Sequence, residues 1–129
     1  MKRYFVIVII LFLLAGALVW EQIFINQSID ILKEKSQEVY EIVTTSENIS
    51  SQSVLRKVED LNNFWTKRES ELCLVINHKD MEKVGEQITK LYSLCEQNDI
   101  SQANIEVDLL KYYVDGYEHI MRLTFQNIW

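Results

Sequence analysis

Residues 4–20 read YFVIVIILFLLAGALVW, an apolar run of 17 residues that contains no charged side chain. A helix that crosses a membrane needs roughly 17 to 25 apolar residues, so the run reaches the lower limit of that length. Lys2 and Arg3 precede the run, and Tyr4 and Trp20 bracket it, as interfacial aromatic residues often do. We therefore expect a transmembrane anchor here, with these four residues at the two membrane interfaces.

The basic residues ahead of the run set the expected orientation. Lys and Arg stay on the cytoplasmic side, so residues 1–3 are predicted to be cytoplasmic and residues 21–129 to form an extracytoplasmic domain. The expected location is the cell membrane, crossed once, with lipid as the partner of the anchor. A cleaved signal peptide is the alternative, because residues 15–17 are small, and cleavage there would give a secreted protein. The apolar run continues through Leu18-Val19-Trp20, which favours the uncleaved anchor.

The composition beyond the anchor favours long helices. The chain has no proline and only three glycines. Proline breaks helices, and glycine supplies many of the turns that a β-rich fold of this size needs. The scarcity of both residue types predicts long helices joined by few loops.

The predicted extracytoplasmic domain is acidic. Without Lys2 and Arg3, 11 of the 13 basic residues remain against all 19 Asp and Glu residues. Such a surface repels the phosphates of nucleic acids, so we expect no nucleic-acid partner.

Four helical segments are predicted from apolar residues that recur at steps of four and three. They cover about residues 21–45, 54–76, 81–97 and 100–128, with a polar loop over residues 44–53. Each segment has one apolar stripe and one charged face, and short connections favour antiparallel neighbours. The expected fold is all-α, with an N-terminal transmembrane helix followed by an up-down antiparallel bundle of about four helices.

The predicted core consists of stripe residues from all four segments. It comprises Ile29, Leu32, Val58, Leu61, Trp65, Leu72, Val84, Ile88, Leu91, Val107, Leu110, Val114 and Tyr117. Ser36 fills a gap in the first stripe, and Arg68 departs from the pattern of the second. Aromatic side chains could also line a groove or a ligand cavity, but the positions of Trp65 and Tyr117 on the stripes favour core packing.

The connections between the segments carry recognisable signals. A tight turn is predicted at Asn77-His78-Lys79, with Asp80 as the N-cap of the third helix. Asp99 and Gln102 have the spacing of a capping box for the fourth helix. Up-down topology returns the predicted turn and residues 125–129 to the membrane surface, where the turn is expected to face a partner.

Both cysteines, Cys73 and Cys95, are expected to be free thiols. If the chain turns near residue 78, Cys95 lies about 16 Å beyond the position opposite Cys73. A disulfide spans at most about 7 Å between Cα atoms, so an intramolecular bridge is the weaker alternative.

No set of residues predicts catalysis or metal binding. His78 and Glu82 have a helical spacing that suits a metal, but further ligands would have to come from Glu118-His119. Neighbouring acids such as Glu69 and Glu71 do not face each other on a helix. The sequence has no Gly-rich phosphate loop, no Gly-x-Ser-x-Gly and no Cys-x-x-Cys motif. We therefore expect no catalytic, cofactor-binding or metal-binding residues and a protein that is not an enzyme.

A family resemblance rests on features spread over most of the chain. They are Phe64-Trp65, Glu69, Leu72, residues 75–82, Ile88, Leu91, Asn98-Asp99, His119-Ile120, Phe125 and Asn127-Ile128. In these features the chain resembles an uncharacterised family of short proteins from spore-forming Gram-positive bacteria, known only as a domain of unknown function. The resemblance implies a membrane anchor followed by a helical domain of about one hundred residues. It implies no activity, ligand or catalytic residue, and the two cysteines depart from its pattern.

These observations favour a non-enzymatic interaction module that is held at the membrane. Its expected partner is a membrane protein or a second copy of the chain. The alternative is a ligand-sensing bundle that resembles the extracytoplasmic domains of bacterial chemoreceptors, which bind small molecules between helices. Only residues 1–3 would remain in the cytoplasm, so signalling would need the cytoplasmic part of a partner.

Overall fold

All the secondary structure in the described part of the chain is helical. A computed structural model describes residues 1–72 and 78–128, without the side chains of His78, Asp80 and residues 120–128. The four helices are α1 (Lys2–Thr45), α2 (Gln52–Leu72), α3 (His78–Glu96) and α4 (Ile100–Ile128). These residues contain no strand, and the predicted all-α class is confirmed.

The helices pack in a ring. Each helix contacts the next one along the chain, and α4 closes the ring against α1. In the described residues, the backbones of α1 and α3 and those of α2 and α4 stay apart across the diagonals of the ring. Short connections reverse the chain direction at each step, so the predicted up-down bundle is confirmed.

The first helix has two parts with different surroundings. α1 has 44 residues, which corresponds to a length of about 66 Å at 1.5 Å per residue. The side chains of residues 1–20 are all exposed. From Ile25 onwards one face is buried, and the buried residues are Ile25, Ser28, Ile29, Leu32, Ser36, Val39 and Val43. Apart from the adjacent pair Ser28 and Ile29, they recur at steps of three and four residues, which lays them on one side of the helix. One unbroken helix therefore joins the predicted anchor to the bundle.

Trp65 on α2 is buried in the core and contacts α3 and α4. Its side chain is 3% exposed. The indole Nε1–H donates a hydrogen bond of 3.3 Å to the carbonyl of Met81 on α3, and the ring centroid lies 6.2 Å from that of Tyr117 on α4. Around it, the structure buries all thirteen residues of the predicted core.

The end of the bundle far from residue 1 is closed by Ile49, which belongs to the α1–α2 loop and is fully buried. Its N–H donates a 3.1 Å hydrogen bond to Oδ1 of Asn98 in the α3–α4 loop. Asn98 has a φ of 54°, and the N–H groups of Asn98 and Asp99 donate to the carbonyls of Cys95 and Leu94. This is the Schellman pattern that ends many helices, so Asn98 both terminates α3 and connects the two loops.

The loop between α1 and α2 is shorter than the predicted loop at residues 44–53. α1 continues to Thr45 and α2 begins at Gln52. The hydroxyl of Thr44 donates to the carbonyl of Tyr40 at 2.7 Å, and that of Thr45 donates to Glu41 at 2.6 Å. Hydrogen bonds of this kind satisfy threonine side chains on the helix itself, so these small polar residues do not interrupt α1.

The predicted turn at Asn77-His78-Lys79 is wrong for two of its three residues. α3 begins at His78, so His78 and Lys79 are helical, and Asp80 lies within the first turn of the helix instead of capping it. An acidic residue in the first turn stabilises a helix through the macrodipole. This explains why the helix can begin at His78, two residues before Asp80. Asn77 lies outside the described residues.

The predicted capping box at the start of α4 is half formed. The N–H of Gln102 donates to Oδ1 of Asp99 at 3.3 Å, as the box requires. The Gln102 amide does not return to Asp99 and donates instead to Glu106 at 3.1 Å. The predicted range of the fourth helix, residues 100–128, agrees with α4.

Replacing Trp65 by Ala should lower the free energy of unfolding by about 3–5 kcal/mol, because the change leaves a large cavity between three helices. Trp65→Phe keeps a ring but loses the hydrogen bond to Met81, so it should cost only about 1 kcal/mol. Urea unfolding of the full chain in detergent micelles, monitored by circular dichroism, measures the free energy of unfolding of both variants. A loss below about 1 kcal/mol for Trp65→Ala would remove Trp65 from the core.

Two substitutions of Asn98 should separate its two roles. Asn98→Gly keeps the left-handed backbone but leaves the buried Ile49 N–H without its acceptor, which should cost about 1–2 kcal/mol. Asn98→Ala adds the cost of a left-handed Cβ, so it should be less stable than Asn98→Gly by about 1 kcal/mol. Equal stabilities of the two variants, measured by the same unfolding experiment, would contradict the assigned backbone role.

Candidate functional site

Four side chains form a stacked cluster where the exposed part of α1 meets the bundle. The rings of Trp20 and Phe24 stack with centroids 5.7 Å apart and an angle of 17°. The guanidinium carbon of Arg68 on α2 lies 4.8 Å from the Phe24 ring and 5.5 Å from the Phe64 ring. We call Trp20, Phe24, Phe64 and Arg68 the boundary cluster. Cation–π contacts of this kind stabilise a partly buried arginine, which explains how Arg68 occupies a position that its helix otherwise fills with apolar residues.

The predicted interface residues lie on the exposed part of α1. The side chains of Lys2, Arg3, Tyr4 and Trp20 are all exposed. Tyr4 and Trp20 are separated by about 24 Å along the helix axis, somewhat less than the roughly 30 Å of a bilayer core. By length and composition this apolar helix can cross a membrane, and none of its apolar window is buried in the bundle. It is therefore compatible with a membrane anchor or a signal sequence.

The far end of α4 returns to the height of the boundary cluster. Lys33 on α1 pairs with Glu118 on α4 at 2.5 Å, and the ammonium of Lys111 lies 4.5 Å above the ring of Tyr40. These two contacts fix an antiparallel register. At 1.5 Å per residue, the remaining helix to Ile128 ends about level with residue 23 of α1.

Glu106 is a buried carboxylate, 4% exposed, between α3 and α4. The amide of Gln87, itself buried, donates to both the carboxylate and the main-chain carbonyl of Glu106. The Lys90 ammonium lies 2.9 Å from Oε1, and the Gln102 amide donates to the same atom at 3.1 Å. We call Gln87, Lys90, Gln102 and Glu106 the polar cluster.

Hydrogen bonds from Gln87 and from Lys90, with a further one from Gln102, hold the pKa of Glu106 below its usual value of 4.5, although burial acts in the opposite direction. Both carboxylate oxygens accept hydrogen bonds within the bundle. A carboxylate with a lowered pKa is a weak base, so this arrangement suits structure better than proton transfer. Its physical effect is to hold α3 against α4.

The other residues considered for chemistry are not assembled into a site. Cys95 is a free cysteine that is fully buried, and burial raises the pKa of its thiol to about 11. A buried thiol with a raised pKa is a poor nucleophile and a poor metal ligand. Cys73 and the side chain of His78 lie outside the described residues. Among the side chains that are described, no three His, Cys, Asp or Glu residues stand close enough to hold a metal ion.

A polar groove of about 720 Å³ runs between α2 and α3. Thr66, Glu69, Gly85 and Thr89 are among the residues that line it. The groove is open to solvent, and it is the place where a ligand-sensing bundle would hold a small polar molecule between helices.

The outer face of α4 carries a second apolar stripe that the sequence analysis did not identify. Ile105 is 59% exposed, Leu109 is 36% exposed and Tyr112 is 72% exposed. We call these three residues the outer stripe. They recur at steps of four and three residues, which is the same signal that predicted the core stripe of α4. That signal therefore occurs twice on one helix, and only the burial of the other stripe shows which of the two faces the core.

The comparisons with known proteins identify a family. A family model described as "Domain of unknown function (DUF4363)" matches residues 19–128. No curated protein and no solved structure matches the chain. The chain therefore belongs to this family, and the predicted resemblance to a domain of unknown function is confirmed. The match contains the whole bundle and begins at the end of the apolar run.

Glu106→Gln should destabilise the bundle at neutral pH by about 1–3 kcal/mol, because the charge-assisted hydrogen bonds from Gln87 and Lys90 weaken. Since folding lowers the pKa of Glu106, the ionised carboxylate adds stability above pH 4.5, and that stability is lost as the pH falls through the lowered pKa. The difference in unfolding free energy between the native chain and the variant should therefore narrow as the pH falls below 4.5.

Glu86→Gln is the matched control, because Glu86 is exposed on α3, one residue before Gln87. It should change stability by less than about 0.5 kcal/mol. A difference between the native chain and Glu106→Gln that stays constant over this pH range would contradict the assigned charge state.

Proposed function

We propose that this member of the DUF4363 family is a single-pass membrane protein whose α1 helix holds a four-helix interaction module outside the cell. In this proposal residues 4–20 lie in the lipid, residues 1–3 are cytoplasmic and the bundle is extracytoplasmic. The module acts by contact with another membrane-held protein chain and not by catalysis.

The observation that carries the proposal is the change of surroundings along α1. Every side chain up to Trp20 is exposed, on all sides of the helix, and nearly all of them from Tyr4 onwards are apolar. Apolar surface in water costs roughly 25 cal/mol per Å², so a helix exposed in this way needs a lipid environment. Ile25 is only 2% exposed, and the surroundings therefore change from lipid to protein within about one turn.

The unbroken helix supports a module with a fixed orientation. α1 contains no proline and no described break between Lys2 and Thr45. The boundary cluster packs Arg68 of α2 against the same segment of α1 in which the change occurs. A bundle held in this way stands upright on the membrane instead of moving freely on a linker.

The surroundings of Glu106 and Cys95 support a role in protein contact and not in catalysis. The carboxylate of Glu106 is held by Gln87, Lys90 and Gln102, and the thiol of Cys95 is buried. The outer stripe on α4 exposes large apolar side chains to water. Exposed apolar patches of this kind mark protein interaction sites, so α4 supplies the docking face in this proposal.

Labelling of single cysteines in intact cells tests the orientation. With Cys73 replaced by Ser, Glu47→Cys places a thiol in the exposed α1–α2 loop, and Lys2→Cys places one at the N-terminus. A membrane-impermeant maleimide should label Glu47→Cys in intact cells and Lys2→Cys only after the cells are permeabilised.

The native Cys95 is buried and serves as the unlabelled background. Labelling of Lys2→Cys, but not of Glu47→Cys, in intact cells would reverse the proposed orientation.

The mass of the chain recovered from the membrane tests whether the anchor is retained. Loss of residues 1–17 would identify a cleaved signal peptide instead, since the alternative cleavage site ends at Ala17.

A further inference from the structure

The outer stripe has charged residues on both sides, and the two sides have opposite signs. Asp108 and Asp115 are exposed on the side of α4 that faces α1, and Asp115 lines the groove between those helices. Lys83 and Lys90 are exposed on α3. Lys90 contacts Glu106, and Lys83 lies two helical turns away on the same face. Lys111 lies between the two acids, and Glu86 lies between the two lysines. The stripe is therefore bordered by an edge with a net negative charge, the acidic edge, and an edge with a net positive charge, the basic edge.

The spacing of the two edges matches. Both pairs are seven residues apart, which is two turns or about 10.5 Å. The contact between Lys90 and Glu106 places Lys90 near the height of Asp108. Because α3 runs antiparallel to α4, Lys83 then lies near the height of Asp115. Each acidic residue thus has a basic residue at a similar height on the other side of the stripe.

We propose that the outer stripe is a homodimer interface, on which α4 of one chain packs in parallel against α4 of a second copy. A two-fold axis along the helices turns the acidic edge of one chain towards the basic edge of the other. Asp108 then faces the partner's Lys90, and Asp115 faces the partner's Lys83. The same two contacts form a second time by symmetry.

An antiparallel pair would be electrostatically unfavourable. In that arrangement the acidic edges face each other and the basic edges face each other. The parallel arrangement is also the one that two anchored chains must adopt, because both enter the membrane in the same orientation. The homodimer thus rests on the proposed function, but the charge pattern selects the same geometry independently.

Gly116 extends the stripe towards the membrane. It follows Tyr112 by four residues, and a Cβ placed on it would meet nothing within 4 Å. The position leaves room for a second backbone. Three large apolar side chains fall short of the roughly 800 Å² per partner that a stable soluble interface buries. Confinement to one membrane raises the effective concentration of the two chains. We therefore expect the dimer to form when both chains are anchored in the membrane.

Disulfide crosslinking in membranes tests the interface. In the full chain with Cys73 replaced by Ser, Ile105→Cys and Leu109→Cys are introduced separately. Residues near a two-fold axis meet their own copies, so both variants should form a disulfide-linked dimer of twice 15.3 kDa under mild oxidation. Arg56→Cys is the matched control, because it is exposed on α2, whose backbone lies diagonally across the bundle from that of α4. It should stay monomeric.

Exchanging the charges of Asp115 and Lys83 tests the proposed contacts between the acidic edge and the basic edge. Asp115→Lys in the Ile105→Cys chain should reduce crosslinking several-fold, and adding Lys83→Asp should restore it, because the swapped pair is again complementary. Circular dichroism of each purified variant confirms that the bundle is folded. Crosslinking of Ile105→Cys and Leu109→Cys no stronger than that of Arg56→Cys would overturn the homodimer. An unchanged yield for Asp115→Lys would overturn the proposed edge contacts.

The labelling of Glu47→Cys is measured in the same cells, so the two proposals can fail separately. Correct labelling without a crosslink refutes the homodimer and leaves the anchored module intact. A crosslink in a chain that has lost residues 1–17 refutes both the anchor and the expected dependence of dimerisation on the membrane, and it retains the interface.

Discussion

One unbroken helix carries two different kinds of surface, and the rest of the structure follows from that constraint. The first half of α1 is apolar on every side, which suits lipid. The second half is apolar only along the line from Ile25 to Val43, which suits packing against protein. Because the helix does not break between the halves, that line fixes which sides of α1 receive α2 and α4. The boundary cluster lies at the change, where the cation of Arg68 rests on aromatic rings instead of being buried among aliphatic side chains.

The sequence predicted those parts of the fold that depend on local periodicity. The four apolar stripes and the range of α4 follow from steps of three and four residues, which local geometry alone determines. The features that the sequence could not predict depend on contacts between residues that are distant along the chain. Ile49 stands in a polar loop, and nothing near it in sequence shows that it closes the core beside Asn98. Glu106 looks like a surface charge until Gln87, nineteen residues away, is brought against it. The turn at His78 and Lys79 was placed incorrectly because polar residues also suit the first turn of a helix.

The candidate site likewise has some features that the sequence predicted and others that only the structure shows. The exposed apolar part of α1 could be predicted, because a long apolar run bounded by Lys, Arg and aromatic residues is typical of a helix that enters a membrane. The outer stripe could not be identified, since Ile105, Leu109 and Tyr112 have the same spacing as the core stripe of α4. Only the packed structure shows that one stripe is buried and the other is exposed. The family match adds the boundaries of the shared unit, residues 19–128, without assigning it a role.

The most direct measurement concerns the continuity of α1 across the membrane surface. Spin labels placed one at a time at residues 14–32 of the full chain in lipid vesicles report the access of oxygen and of a water-soluble nickel complex. A continuous helix that leaves lipid and enters the bundle should show high oxygen access with no helical period through about residue 20. Beyond residue 24 it should show a period of about 3.6 residues whose minima fall at Ile25, Ile29 and Leu32. A stretch between residues 20 and 25 that is open to the nickel complex on all sides would contradict the continuous helix, because it would reveal a flexible linker in its place.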